Sequence, residues 1–184
     1  MSKLGIFMAD GCEEIEGLTV VDIMRRAGIE IVMISISGKK EVTSSHKVMF
    51  LADTTKDEVD FAKLDGIVLP GGMPGTLNLG ADETVTRVVR EFAAAGKLVA
   101  AICAAPSVLG QEGVLKGMRA TCHPGFEEKL IGAEWLEQPV VRDDNIITSR
   151  GMGTAIPFAL TIVCYLLGQE AVQKVCAGLV YDLK

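Results

Sequence analysis

The sequence predicts an α/β fold, a mostly parallel sheet with helices on both faces. Short apolar runs without polar alternation, LGIFM at 4–8, GIVL at 66–69 and LVAAI at 98–102, read as strands buried on both faces. Stretches of helical spacing lie between them, long enough for the crossovers that join parallel strands. The chain has 184 residues, 49% hydrophobic and 23% charged, enough to bury a sizeable core. No linker, repeat or low-complexity stretch divides it, so residues 1–184 are expected to form one domain.

Along the chain, Leu4 to Met8 is the first strand, ended by Asp10-Gly11. Leu18, Val21, Met24 and Arg25 follow helical spacing, and Gly28 closes that helix. Ile29 to Ile36 is rich in β-branched residues and reads as a strand, followed by a turn at Gly38-Lys39-Lys40. Glu41 to Thr43 and Val48 to Leu51 suit a small hairpin. Glu58 to Leu64 is a short helix, and Gly66 to Leu69 a strand cut off by Pro70-Gly71-Gly72. Asp82 caps a helix to Ala95 that sets Val85, Val88, Val89 and Phe92 on one face. The strand Leu98 to Ile102 runs into Cys103, and a helix follows at once from Ala104 to Leu109. Arg119 to Cys122 is a short strand and Phe126 to Ile131 a helical turn or two. Val140 to Arg142 and Ile146 to Thr148 are strands around the turn Asp143-Asp144-Asn145. Two helices finish the chain, Thr154 to Leu167, with Pro157 tolerated in its first turn, and Gln169 to Leu179.

Composition excludes several classes of function. Eighteen Lys and Arg against 24 Asp and Glu give a net charge of −6, with no basic run to grip phosphate backbones or anionic lipid. Neither a secretory leader nor a membrane-spanning run is expected. The five cysteines, Cys12, Cys103, Cys122, Cys164 and Cys176, are odd in number and lack C-x-x-C spacing, so neither a zinc ribbon nor a disulfide framework is expected. Cys122 adjoins His123 without other ligand-type neighbours, and no metal site is expected. Free thiols suit a reducing, cytoplasmic setting.

In a sheet of this kind the site lies beyond the carboxyl ends of the strands, near the point where strand order reverses. That directs attention to the loops after Met8, Leu69 and Ile102. Cys103 stands at a sharp strand-to-helix turn, where a side chain is raised above the sheet. A helix N-terminus beside it would depress its pKa. The plainer reading is a buried thiol packed as a small hydrophobe. Pro70-Gly71-Gly72 lets backbone N–H groups approach, and with the Ala104 N–H could form a two-donor oxyanion hole; otherwise it is an ordinary turn. Glu13, Glu14 and Glu16 are all first-turn acids that suit a helix dipole, and one of them could carry a proton for the thiol. His123, before Pro-Gly, is a candidate base for Cys103 or a solvated loop residue. His46 in the hairpin reads as a surface or interface residue, and Cys164 and Cys176 as packing.

The strings ADGCEEIE at 9–16, VDIMRRAGI at 21–29, VLPGG at 68–72, AAICAAP at 100–106, CHP at 122–124 and TSRGMGTA at 148–155 together resemble the ThiJ/PfpI superfamily. Within it they are similar to the branch of the Parkinsonism-associated deglycase and its bacterial relatives. The resemblance covers essentially the whole chain. It implies a flavodoxin-like three-layer sandwich and a homodimer. It also implies Cys103 as an oxidisable nucleophile, Glu16 as the carboxyl group bonded to it, His123 nearby, and Gly72 and Ala104 as backbone donors. Arg26 and Arg150 fall in motifs that in relatives line the dimer-side approach. His46 stands where close relatives carry Arg at the border of an anion site. Ala104 replaces the His that follows the nucleophile in the protease-like branch, which speaks against a peptidase. The two histidines, at 46 and 123, do not form the C-terminal His-Glu pair of a glutamine amidotransferase.

The resemblance implies a cofactor-independent enzyme acting on small α-oxoaldehydes such as methylglyoxal, a glyoxalase or deglycase. A second class is a redox sensor or stress chaperone signalled by oxidation of Cys103. No nucleic-acid or membrane partner is expected.

Overall fold

The structure is a computed structural model and describes residues 2–182. Eleven strands and six helices follow in chain order: β1 (Lys3–Met8), α1 (Glu14–Arg26), β2 (Glu30–Ser35), β3 (Glu41–Thr43), β4 (Met49–Leu51), β5 (Thr54–Thr55), β6 (Gly66–Leu69), α2 (Gly75–Ala81), α3 (Glu83–Ala94), β7 (Leu98–Ile102), α4 (Pro106–Gln111), β8 (Arg119–Ala120), β9 (Glu134–Trp135), β10 (Val140–Asp143), β11 (Ile146–Ser149), α5 (Ala155–Leu167) and α6 (Gln169–Leu179). The main sheet has seven strands in the order β10-β11-β7-β6-β1-β2-β5, all pairs parallel except β10 with β11. It is the mostly parallel, doubly covered α/β sheet expected, with the flavodoxin-like arrangement.

The two faces of the sheet separate cleanly. Leu4, Ile6, Met8, Ala100 and Ile102 point to the side covered by α1, α5 and α6, where Val20, Met24, Phe158 and Ile162 meet them. Phe7, Ile67, Leu69, Val99 and Ala101 point to the side of α2, α3 and α4. Each face is therefore a complete apolar interface, which is why the strands lack polar alternation.

α3 shows how local sequence makes an element here. Asp82 accepts hydrogen bonds from the N–H groups of Thr84 and Val85, at 3.0 and 3.1 Å, and so satisfies two free donors of the first turn. Val85, Val88, Val89 and Phe92 are buried along one face as the spacing predicts. Each such side chain stabilises the fold by about 1.5–3 kcal/mol.

Several expectations need correction. Glu58 to Leu64 is not a helix but one 3₁₀ turn at Phe61–Lys63, and Phe126 to Ile131 shrinks to a 3₁₀ turn at Glu127–Lys129. The helix after Cys103 starts at Pro106, because residues 103–105 form the turn itself. β8 ends at Ala120, two residues short of Cys122. α2, β5 and β9 escape the sequence reading, since each is seven residues or fewer with little apolar periodicity.

β1 is flanked by β2 on one side and β6 on the other, so strand order reverses there. The loops after β1, β6 and β7 meet at that switch point, where an open α/β sheet carries its crevice.

Candidate active site

Cys103 has the conformation of a strand-to-helix elbow. Its φ is +65°, in the left-handed region that a non-glycine residue rarely occupies, at a cost of order 1 kcal/mol or more. The turn is held from two sides. The Cys103 N–H donates to the Ser149 carbonyl at 2.9 Å, and its carbonyl accepts from the His123 N–H at 2.8 Å. The side chain is half-buried, and the Gly72 and Ala104 N–H groups hydrogen-bond it.

Glu16 comes to the same point from the first turn of α1. It is 1% exposed, and its Oε2 accepts the Gly71 N–H at 2.9 Å. Its own N–H donates to Glu13 Oε2 at 2.6 Å, so Glu13 caps the helix and Glu16 faces inward. The choice among three acids left open by their spacing is thus made by geometry. Gly71 lies between the two reacting groups. A Cβ there would come within 2.6 Å of Cys103 Cβ and 2.7 Å of Glu16 Oε2. Gly72, with φ +87°, has no room either, because a Cβ would sit 2.3 Å from the Glu13 backbone nitrogen.

Burial pushes the Glu16 carboxyl from 4.5 up to about 7, and the charge of Glu13 adds to this. Hydrogen bonds from the Cys103 thiol and from the Gly71 and Met152 N–H groups oppose it and lose. The thiol moves in the direction opposite to the expectation. Burial, then the neighbouring Glu16 charge, push Cys103 up to about 12, against the pull of the Gly72 and Ala104 N–H groups. The reason is that α4 has only six residues and starts three positions beyond the sulfur, so its dipole is weaker than the cost of desolvation. The resting pair is a neutral thiol beside a carboxyl that is half ionised near neutrality.

His123 is exposed at the mouth. Its Nδ1 lies 2.9 Å from the Pro124 carbonyl, so Nδ1 carries the proton and Nε2 is left as an acceptor. Gly151 stands between the ring and Glu16: a Cβ on it would be 3.6 Å from His123 Cδ2 and 3.9 Å from Glu16 Oε1. A backbone carbonyl, not a carboxylate, orients the imidazole, which differs from a catalytic triad.

A model of the DJ-1/PfpI family matches residues 2–164. The chain belongs to the DJ-1/PfpI family. Protein dj-1beta of Drosophila melanogaster is 41% identical over 182 residues, 97% of each chain. The crystal structure of Drosophila melanogaster DJ-1beta superposes with a TM-score of 0.95 at 39% identity over 100% of both chains. An oxidized DJ-1 of Toxoplasma gondii superposes at 0.96 with 35% identity, again over 100% of both. A relative from Caenorhabditis elegans, named glutathione-independent glyoxalase DJR-1.2, is 33% identical over 171 residues, 92% of this chain and 90% of its own.

The remaining residues implied by the DJ-1/PfpI resemblance are not all brought to the thiol. Arg150 is paired with Glu137 at 3.0 Å and shares with His123 a depression of about 400 Å³ bounded by Pro139 and Gly151 to Thr154. Arg26 lies in the last turn of α1, away from the end of the helix that carries Glu16, and bonds Asp22 at 2.6 Å. Within one chain it does not border the approach to Cys103. His46 also lies off the thiol, 3.2 Å from Glu14. Sequence reasoning passed over Gly71 as a positioning group, crediting the turn only with donors, and missed the Gly151-Met152 backbone, whose signal was the glycine spacing in SRGMG.

Proposed function

We propose that this chain is a cofactor-independent cysteine enzyme acting on small α-oxoaldehydes, of which methylglyoxal is the simplest test substrate. The observation that carries the reading is a thiol at a strained elbow, flanked by two backbone N–H donors and by a buried carboxyl that titrates near neutrality. The name of the nematode relative supports the same reading.

In the proposed cycle, ionised Glu16 removes the Cys103 proton as sulfur attacks the aldehyde carbon. The C–S bond forms, and the carbonyl electrons move to an oxygen that the Gly72 and Ala104 N–H groups stabilise. The oxygen takes a proton, completing a hemithioacetal. Glu16 then carries a proton from the former aldehyde carbon to the neighbouring carbonyl through an enediol, leaving a 2-hydroxy thioester. Water cleaves it to a 2-hydroxy acid and restores the thiol, so atoms balance without a redox partner. His123 Nε2, at the mouth, is suited to receive a proton from that water. Removal of early glycation adducts would be the same chemistry on an adducted side chain. The test is methylglyoxal consumption with 2-hydroxy acid formation. Cys103→Ser is expected to abolish both, and a variant that retained wild-type turnover would end the proposal.

A second reading, oxidation of Cys103 as a signal, rests on the oxidized state of the Toxoplasma gondii relative. Protonated Glu16 would donate a hydrogen bond to a sulfinate and hold it. Mild peroxide followed by peptide mass analysis distinguishes it: oxidation spread over all five cysteines argues against this reading. A homodimer is proposed as well, supported by apolar side chains left exposed on β4 and α1, among them Met49 at 71%, Leu51 at 64% and Ile15 at 48%. No helix among the described residues is long and apolar enough to cross a membrane. The five free cysteines favour a reducing, cytoplasmic location.

A further inference from the structure

The segment that follows β11 touches both halves of the site. β11 ends at Ser149, which pairs in register with Ile102, the last residue of β7. This register sets the Ser149 carbonyl against the Cys103 N–H, the 2.9 Å bond that holds the elbow. Three residues further on, the Met152 N–H meets the Glu16 carboxyl. Gly151 lies against the same carboxyl, since a Cβ on it would be 3.9 Å from Glu16 Oε1. Residues 149–154 therefore hold the sulfur-bearing residue at one end and the proton carrier near the other.

Packing does not fix this segment, because Met152 and Gly153 are exposed and two of its residues are glycines. Two hydroxyl groups fix it instead. Ser149 is fully buried, and its Oγ donates to the Pro139 carbonyl at 2.8 Å. That leaves Ser149 Oγ to accept from Thr154 Oγ1, 2.7 Å away. Thr154 Oγ1 also accepts the Gly151 N–H at 3.1 Å and lies 2.9 Å from the Gly151 carbonyl, a second place for its proton. The Thr154 N–H donates to that carbonyl at 2.8 Å. Among the described residues, Thr154 is thus the side chain that ties the end of the segment to its start and its middle.

We propose that Thr154 is a positioning residue for the Cys103–Glu16 pair, its hydroxyl closing residues 149–154 into a clasp that sets the elbow at one end and the carboxyl at the other. The titratable groups facing Glu16 come from other elements: Cys103 from the elbow, Glu13 from the cap of α1, and His123 from across Gly151. Arg150, the charged residue of the segment, is engaged by Glu137. The clasp therefore acts on the carboxyl through a backbone N–H and not through charge. As a statement about turnover this rests on the α-oxoaldehyde reading above; as a statement about the carboxyl it does not.

The experiment compares the wild type with Thr154→Val, Thr154→Ser and Met152→Pro. Val keeps the shape and removes the hydroxyl, whereas Ser keeps the hydroxyl. Pro removes the Met152 N–H at the first position of a 3₁₀ turn, where no bond within the turn is lost and the side chain is exposed. Each protein is unfolded by urea from about pH 4 to about pH 9. The ionised carboxyl accepts the Met152 N–H, so without that bond it should hold its proton about tenfold more tightly, a step of about one pH unit. The fall of stability with rising pH ends at about 7 in the wild type. It should run on to about pH 8 in Thr154→Val and Met152→Pro, and end at the wild-type pH in Thr154→Ser. A hydroxyl with a merely structural role would lower the whole curve in parallel and leave that endpoint in place. The acid limb of kcat/KM for methylglyoxal should move by the same step. An endpoint unmoved in Thr154→Val or in Met152→Pro, or moved as far in Thr154→Ser, would overturn the proposal. Absence of turnover in the wild type would instead overturn the α-oxoaldehyde reading, and the unfolding curves would still decide the clasp.

Discussion

At Gly71 the sulfur-bearing and proton-carrying side chains approach the backbone more closely than a methyl group permits. Gly71→Ala must therefore move Cys103, Glu16 or both. A shift of this kind costs about 1–3 kcal/mol of stability, and misplacement by about 1 Å can cost about 100-fold in rate. Methylglyoxal turnover of a variant that still folds should fall sharply, whereas unchanged kcat would mean that the pair does not act together. Glu16→Gln keeps the shape and removes the ionisable group. Its turnover should fall by about 10²–10⁴, the range of a lost acid–base catalyst, with KM little changed. His123→Asn at the exposed mouth should cost less, since its Nδ1 is held by a backbone carbonyl and its ring is separated from Glu16 by Gly151.

At the scale of elements, α3 carries the clearest test of packing. Phe92 is 4% exposed in the face built by Val85, Val88 and Val89. Phe92→Ala should cost about 3–5 kcal/mol in urea unfolding, and a loss below about 1 kcal/mol would show that the face does not anchor the helix. The elements that were legible in the sequence are those whose interior is apolar and periodic. β1, β6 and β7 read as buried strands because both faces are covered, and α3 reads as a helix because its cap and its stripe agree. What was illegible depended on tertiary contact. α2, GTLNLGA, lacks a stripe and a side-chain cap, and is held by its place beside α3 and α4. The candidate site was partly legible for the same reason. An elbow cysteine after LVAAI is visible as a pattern, but the spacing of Glu13, Glu14 and Glu16 does not show which turns inward. Burial of Glu16 and the capping bond of Glu13 decide that. The direction of the thiol shift was misread because helix position is visible in a sequence and desolvation is not.

On the scale of the whole molecule, reversal of strand order at β1 brings a helix that starts after the first strand against the elbow that ends β7. The carboxyl buried at this junction links folding to pH. Glu16 titrates at about 7 in the folded chain and near 4.5 when exposed, so the folded state holds the proton more tightly. Stability should fall as pH rises from about 4.5 to about 7, by about 3 kcal/mol, and level off above that window. Urea unfolding should show this slope in the wild type and lose it in Glu16→Gln; a wild-type curve flat across the window would contradict the burial argument. The coupling of thiol and carboxyl is read most directly from the pH dependence of Cys103 alkylation in the wild type and in Glu16→Gln. Removing the negative neighbour should move the alkylation inflection to lower pH even as methylglyoxal turnover collapses. An inflection at the same pH in both proteins would mean that the two groups do not share a proton.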